Sequence, residues 1–266
     1  MLTTSTVARA GLDAVALKPA ECDVERATSL PVETIAIDYE GHDHVPDRQT
    51  IEALSADVTV RLTTPVRADG FDPLGDDSLA AELPSGVERI LVAGHPAYLT
   101  DDEQDRAVAP RLGAALETDP DSWVGTESVE RIAMATGATQ YDLLSRTTMR
   151  ELRALRAATF DGDIAVYAPT VLTADEDAIL DAVGDYVARR RPVAAALPDD
   201  RDEDGDRTVT DSRATGRTRE ILLAAAEDYT LVGTEAAVRE RTDALREAGA
   251  TTVVGYPARE LEAFLE

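Results

Sequence analysis

The chain has 266 residues, enough for one large domain with a complete core. Its 26 basic residues face 52 acidic ones, a net charge of −26, and no basic stripe exists to neutralise phosphates, so nucleic acid is excluded as the expected ligand. A single cysteine excludes an intrachain disulfide. No stretch approaches the roughly 20 apolar residues of a membrane span, and Met1 to Ala10 lacks the charged-then-apolar pattern of a signal peptide, so a cytoplasmic location is expected.

Short β-branched runs alternate with helical patterns along the chain. Strands are predicted at Leu12–Leu17, Thr34–Tyr39, Val58–Thr63, Arg89–Ala93, Ser122–Val124, Gln140–Leu144, Asp163–Tyr167 and Thr251–Gly255. Several are almost continuously apolar, as suits strands covered on both faces of a parallel sheet. Helices are predicted over Thr147–Ala158, Asp175–Arg189 and Thr234–Ala248, the last ended by Gly249 as a C-cap. Eight strands alternating with helices predict one α/β domain over residues 1–266, a parallel (β/α)8 TIM-type barrel. An open doubly wound sheet is the alternative. The absence of a glycine-rich turn after the first strand counts against a dinucleotide-binding form of it.

Two stretches break the rhythm, Arg67 to Ser85 and the acidic Pro198 to Thr215. The second reads as a solvated, mobile surface loop rather than a lid. The tetrapeptide VGTE occurs twice, at Val124–Glu127 and Val232–Glu235, each time opening a helix that ends at GAT. A repeated βα building habit explains this. The rival reading, a phosphate on the free amides of one helix start, is opposed by the adjacent glutamates.

The acids are spread along the whole chain, and Lys18 is the only lysine among the bases. At molar salt the Debye length falls to roughly 3 Å, which screens the self-repulsion of such a surface. The composition resembles that of halophilic proteins.

Three segments carry a family resemblance. They are YTLVGTEAAVRERTDALREAGATTVVGYP from Tyr229 to Pro257, IAVYAPTVLTADEDAILDAVGDYVA from Ile164 to Ala188, and ERIAMATGATQYDLLS from Glu130 to Ser145. Together they resemble the second half of the bacterial luciferase-like family, which includes flavin monooxygenases and coenzyme F420-dependent reductases. The resemblance covers about half the chain. GATQYD stands where that family commonly has an AD-G pair, and the glycine-rich, tryptophan-containing segment often seen mid-chain there is absent. The resemblance implies a barrel that binds F420 or FMN and transfers hydride to or from a small-molecule substrate, the cofactor carrying the chemistry. A homodimer is the assembly considered. A barrel of the same fold that only binds, and a non-redox barrel enzyme acting on a phosphorylated substrate, are the rival readings.

Barrel sites lie at the C-terminal ends of the strands. Reading those ends gives Lys18, Tyr39, His42, His44, Thr63, Thr64, Gly94, His95, Gly125, Ser145, Arg146, Tyr167 and Tyr256. His42 and His95 are the catalytic candidates, as proton carriers. Arg146, with Ser145, Gly125 and Thr126, is the candidate anion and cofactor contact. The HDH run at His42–His44, with His95, supplies at most three histidine ligands, and no metal is expected. Cys22 is expected on the first helix as a small buried residue, Ser145 lacks a GxSxG elbow, and Trp123 is expected in the core or as a barrel-end plug.

Overall fold

Every strand pairs in parallel with its neighbours, and the two ends of the strand order meet. In the computed structural model, which describes residues 5–66, 79, 82–92, 108–125, 135–198 and 208–265, nine strands are formed. They are β1 (Ala14–Leu17), β2 (Thr34–Ile37), β3 (Thr59–Pro65), β4 (Glu88–Val92), β5 (Trp123–Gly125), β6 (Gln140–Leu143), β7 (Ile164–Val171), β8 (Leu231–Val232) and β9 (Thr252–Pro257). β1 to β7 succeed one another around the circle. β9 closes it by pairing with β7 on one side and β1 on the other. The fold is therefore the expected eight-stranded (β/α)8 barrel, and all eight predicted strands are present within a few residues of their predicted bounds. The ninth, β8, is two residues long, pairs with Thr170 and Val171 at the end of β7, and is not predicted from the sequence.

Side-chain alternation divides the barrel into a shell and a lumen. Val15, Leu17, Ile35, Ile37, Val60, Leu62, Val166 and Val253 face outward and join Leu152, Leu155, Val238 and Leu245 of the helices in the largest apolar cluster. Each such fully buried side chain contributes about 1.5–3 kcal/mol relative to exposure. The other face of the strands carries Ala14, Ala16, Ala36, Ile90, Trp123, Tyr141, Ala165 and Val254. Alanines on β1 and β2 leave room that the large rings of β5 and β6 fill, so the lumen is packed rather than hollow.

The three predicted helices appear as Thr148–Ala157, Glu176–Ala188 and Glu235–Ala248. Asp175 and Thr234 cap the second and third by accepting bonds from free backbone amides. Gly249 ends the third at φ 125°, where a side chain would be strained. Three findings differ from the sequence-based expectation. Between β1 and β2 there is a turn and a 3-10 helix, Val24–Ser29, so Cys22 is a half-buried turn residue and not a helical one. A further helix, Gly216–Tyr229, packs Leu222, Ala225 and Tyr229 against Leu180 and Val187.

The third concerns the acidic segment. Its last part, residues 208–215, is seated rather than solvated. Ala214 is 3% exposed, and Ser212 donates its amide to Asp181 at 2.9 Å. Gly184 makes this possible, because a Cβ there would lie 1.8 Å from the Thr210 carbonyl oxygen. Residues 199–207 and most of Arg67 to Ser85 lie outside the described residues.

Arginines staple the N-terminal pole of the barrel. Arg246 donates to the Gly11 carbonyl at 2.6 Å and to both carboxylate oxygens of Asp13 at 2.9 Å, and Asp13 in turn accepts the Val253 amide. Arg156 donates to the carbonyls of Phe160, Gly162 and Gly249. Arg89, 3% exposed, pairs with Asp119 at 3.1 Å. Arg61 lies 4.1 Å over the Trp123 ring and pairs with Glu88. Burial pushes the Arg61 guanidinium below its ordinary pKa, and Glu88, Asp119 and Asp121 oppose that shift. Trp123 is thus part of the lumen packing, under an arginine.

Candidate functional site at the C-terminal mouth of the barrel

Around the opposite pole the strand ends carry polar groups. β2 ends at Ile37, earlier than predicted, and its side-chain alternation carries on through the next two residues. Ile37 faces the shell, so Asp38 falls on the lumen side and Tyr39, 6% exposed, turns into the outer apolar cluster. Tyr39 is thereby removed from the mouth and Asp38 enters it. The Thr63 hydroxyl on β3 donates to the Asp38 carboxylate at 3.0 Å, and the same hydroxyl accepts the Tyr39 amide. Thr64 faces the shell and spends its hydroxyl on the Leu62 carbonyl.

Next to Asp38 on the β1 side stands Lys18. The register Leu17↔Ile37, and the bond from the Asp38 amide to the Leu17 carbonyl, place the two residues side by side on neighbouring strands. The turn after β1 is closed by the Glu21 and Cys22 amides donating to the Lys18 carbonyl. That turn brings the Glu21 carboxylate to 3.6 Å from Lys18 Nζ. The ammonium lies 4.7 Å from the centre of the Tyr256 ring, on β9, and the Tyr256 hydroxyl donates to Glu21. Lys18, Asp38, Thr63 and Tyr256 thus form a polar arc over four consecutive strands, β9, β1, β2 and β3. Burial raises the Cys22 thiol above its ordinary pKa despite the Lys18 backbone contact, with Glu21, Glu40 and Asp23 adding to the rise. The thiolate that reacts as a nucleophile is disfavoured there.

The facing wall is aromatic. Tyr141 and Tyr167, on β6 and β7, stack at 4.3 Å with ring planes 6° apart, and Trp123 packs against Tyr141 at 5.7 Å. Gly125 ends β5 on the lumen side beside Val92, which a Cβ would meet at 3.2 Å. Beyond β6, Ser145 exchanges hydroxyl contacts with Thr147 at 3.0 Å and Thr148 at 3.3 Å and accepts the Thr147 amide. Its oxygen is committed to the turn that starts the next helix. Arg146 is exposed and makes no ion pair among the described residues. Glu151 is nearest Arg150, at 3.8 Å.

Of the sequence candidates, Gly125, Ser145 and Arg146 lie at the same pole as Asp38 and Lys18. His95 and Thr126 lie outside the described residues, as does the side chain of His42, whose backbone begins the 3-10 turn His42–His44 after β2. Among the described residues no three His, Cys, Asp or Glu side chains are grouped to hold a metal ion. The VGTE echo resolves into unlike halves. Val124 and Gly125 belong to a barrel strand, whereas Val232 ends the extra strand β8. In the second copy Thr234 caps its helix and Glu235 pairs with Arg9, which holds its carboxyl below the ordinary glutamate pKa. That helix start is occupied by its own acid.

No helix among the described residues is long and apolar enough to cross a membrane. One solved structure with the same fold is an F420-dependent secondary alcohol dehydrogenase in complex with an F420–acetone adduct. It is 11% identical, with 96% of each chain covered and a TM-score of 0.56. At that identity the likeness establishes the barrel architecture. No curated protein matches the chain. The model of a family of unknown function, DUF7388, matches residues 7–264, and the chain belongs to that family.

Proposed function

We propose that this barrel is a luciferase-like oxidoreductase that takes F420 or FMN at its C-terminal mouth and exchanges hydride with a small-molecule substrate. The observation that carries the reading is the contrast inside the mouth, a tyrosine wall on β6 and β7 facing a polar arc on β9 to β3. A flat cofactor ring suits the first face, and an oxygen-bearing substrate suits the second. The fold shared with an F420-dependent enzyme along nearly the whole chain supports the choice of cofactor. The residues present fit such a group. Arg146, exposed and outside any described ion pair, would hold an anionic tail, and Tyr167 and Leu143 would border the ring.

When bound, the reduced cofactor supplies a hydride. The chain's own part is positioning and proton handling. Asp38, fixed by the Thr63 hydroxyl, is a described lumen-side acid able to hold a proton at a substrate oxygen. His42 and His95 are proposed as proton carriers of the same reaction, and Gly125, Thr126 and Ser145 as cofactor contacts. A cytoplasm rich in salt is the setting the composition favours.

The test is a titration of F420 and of FMN into the protein in molar potassium chloride, monitored by ring fluorescence. Saturable binding of one of them is expected. Arg146→Ala should weaken it by about 1.5–3 kcal/mol, at least tenfold in Kd. If neither cofactor binds the folded protein, the redox assignment falls and the non-redox barrel readings take its place.

A further inference from the structure

We propose that Lys18 is a carbonyl-binding amine, a second chemical function at the β1–β9 side of the mouth that does not depend on the redox reading. The chain uses 26 basic residues, and Lys18 is the only one that is not arginine. A guanidinium stays protonated in proteins, whereas a lysine ammonium can give up its proton and become a nucleophile. The sequence thus places its one ionisable lysine amine at a lumen-side strand end, where barrel chemistry is carried out. At the opposite pole Arg61, Arg89, Arg156 and Arg246 make the fixed, multidentate contacts for which a guanidinium is suited.

The surroundings of Lys18 supply what condensation with a carbonyl requires. Glu21, 3.6 Å from Nζ, is placed to accept the ammonium proton. The Tyr256 hydroxyl donates to the same carboxylate and gives a second proton position on it. The Lys18 side chain itself is a third exposed, so a small aldehyde or ketone reaches it from the mouth. The neutral amine adds to the carbonyl carbon, forming an N–C bond, and Glu21 returns the proton it took to the carbonyl oxygen. Glu21 then takes one of the two protons on nitrogen and passes it to the hydroxyl, which leaves as water, and a protonated carbon–nitrogen double bond remains. No oxidant or reductant is consumed.

Because no other lysine exists, trapping is unusually clean. The folded protein in molar potassium chloride is incubated with pyruvate or, separately, propionaldehyde, together with sodium cyanoborohydride, and adducts are located by peptide mass spectrometry. One reduced adduct on Lys18 is expected, forming faster in the folded chain than in the same chain unfolded in guanidinium chloride. Lys18→Arg should lose it. Glu21→Gln, which keeps the lysine, should slow its formation while leaving any α-amine adduct unchanged, a readout that a merely structural Glu21 does not move. Adducts confined to the α-amine, or a Lys18 rate no faster folded than unfolded, overturn the proposal. Neither outcome depends on whether F420 or FMN binds, so the two proposals fail separately.

Discussion

The two poles of this barrel are built from the same strands and treat charge in opposite ways. At the N-terminal pole, arginines are spent on fixed partners. Arg246 ties helix, strand and loop through Asp13, Arg156 closes three carbonyls, and Arg89 is buried against Asp119. At the C-terminal mouth, among the described residues, Lys18 shares a carboxylate with a tyrosine and Arg146 is exposed beyond β6. A charge spent on several fixed partners organises a fold. A charge held loosely at a strand end is available to a ligand. The proposed site at the mouth predicts that stability and function separate by pole, and substitutions can test the separation.

The largest effect is expected from Arg89→Ala. Truncating a side chain that is 3% exposed leaves Asp119 and the Ala115 carbonyl without their partner, which should cost about 2–4 kcal/mol in urea unfolding at molar salt. Cofactor or carbonyl binding by the folded fraction should be untouched. Gly184→Ala comes next. The added Cβ must displace the Thr210 carbonyl, so a loss of about 1–3 kcal/mol is expected, with earlier cleavage around residues 208–215 in limited proteolysis. Unchanged stability in Gly184→Ala would show that the segment is not seated as described.

At the mouth, Thr63→Val removes the donor to Asp38 and the acceptor of the Tyr39 amide. About 1 kcal/mol of stability should go, with a larger proportional fall in turnover than in binding if Asp38 moves a proton. The smallest effect concerns Glu235, whose carboxyl is held below its usual pKa by Arg9. A depressed folded-state pKa adds stability that is fully present above the unfolded value of 4.5 and is lost as pH falls through the folded value. The pair is about a third exposed on each side, so roughly 0.5 kcal/mol is expected. Melting curves of wild type and Glu235→Gln should therefore differ slightly at pH 7 and converge in acid.

The barrel itself was legible because buried parallel strands announce themselves as short β-branched runs, ILV on β4 and TVV on β9 being clear cases. What escaped had weak contrast. β8 is two residues inside YTLVGT, too short for any period. The Gly216–Tyr229 helix buries alanines that carry little polarity signal. Val209 and Ala214 sit among acids, so their packing on the Glu176–Ala188 helix depends on Gly184, a residue far away in sequence. The mouth was legible in outline, since Lys18, Thr63, Gly125, Arg146, Tyr167 and Tyr256 were all read from strand ends. Asp38 was not, because β2 was expected to run on to Tyr39. The end residue was read without its facing, and alternation past Ile37 turns Tyr39 to the shell and Asp38 to the lumen. The alternation Ile35, Ile37, Tyr39 was the available signal, as three apolar residues on one face leave Asp38 on the other.

The most direct test of the division between poles is the Kd of F420 and of FMN for Arg146→Ala and Arg89→Ala beside wild type, in molar potassium chloride, with the unfolding free energy of each measured under the same conditions. Arg146→Ala should lose at least tenfold in affinity at unchanged stability, and Arg89→Ala should lose stability at unchanged affinity. Equal affinity in wild type and Arg146→Ala, or absence of binding by all three folded proteins, would contradict a cofactor site at the C-terminal mouth.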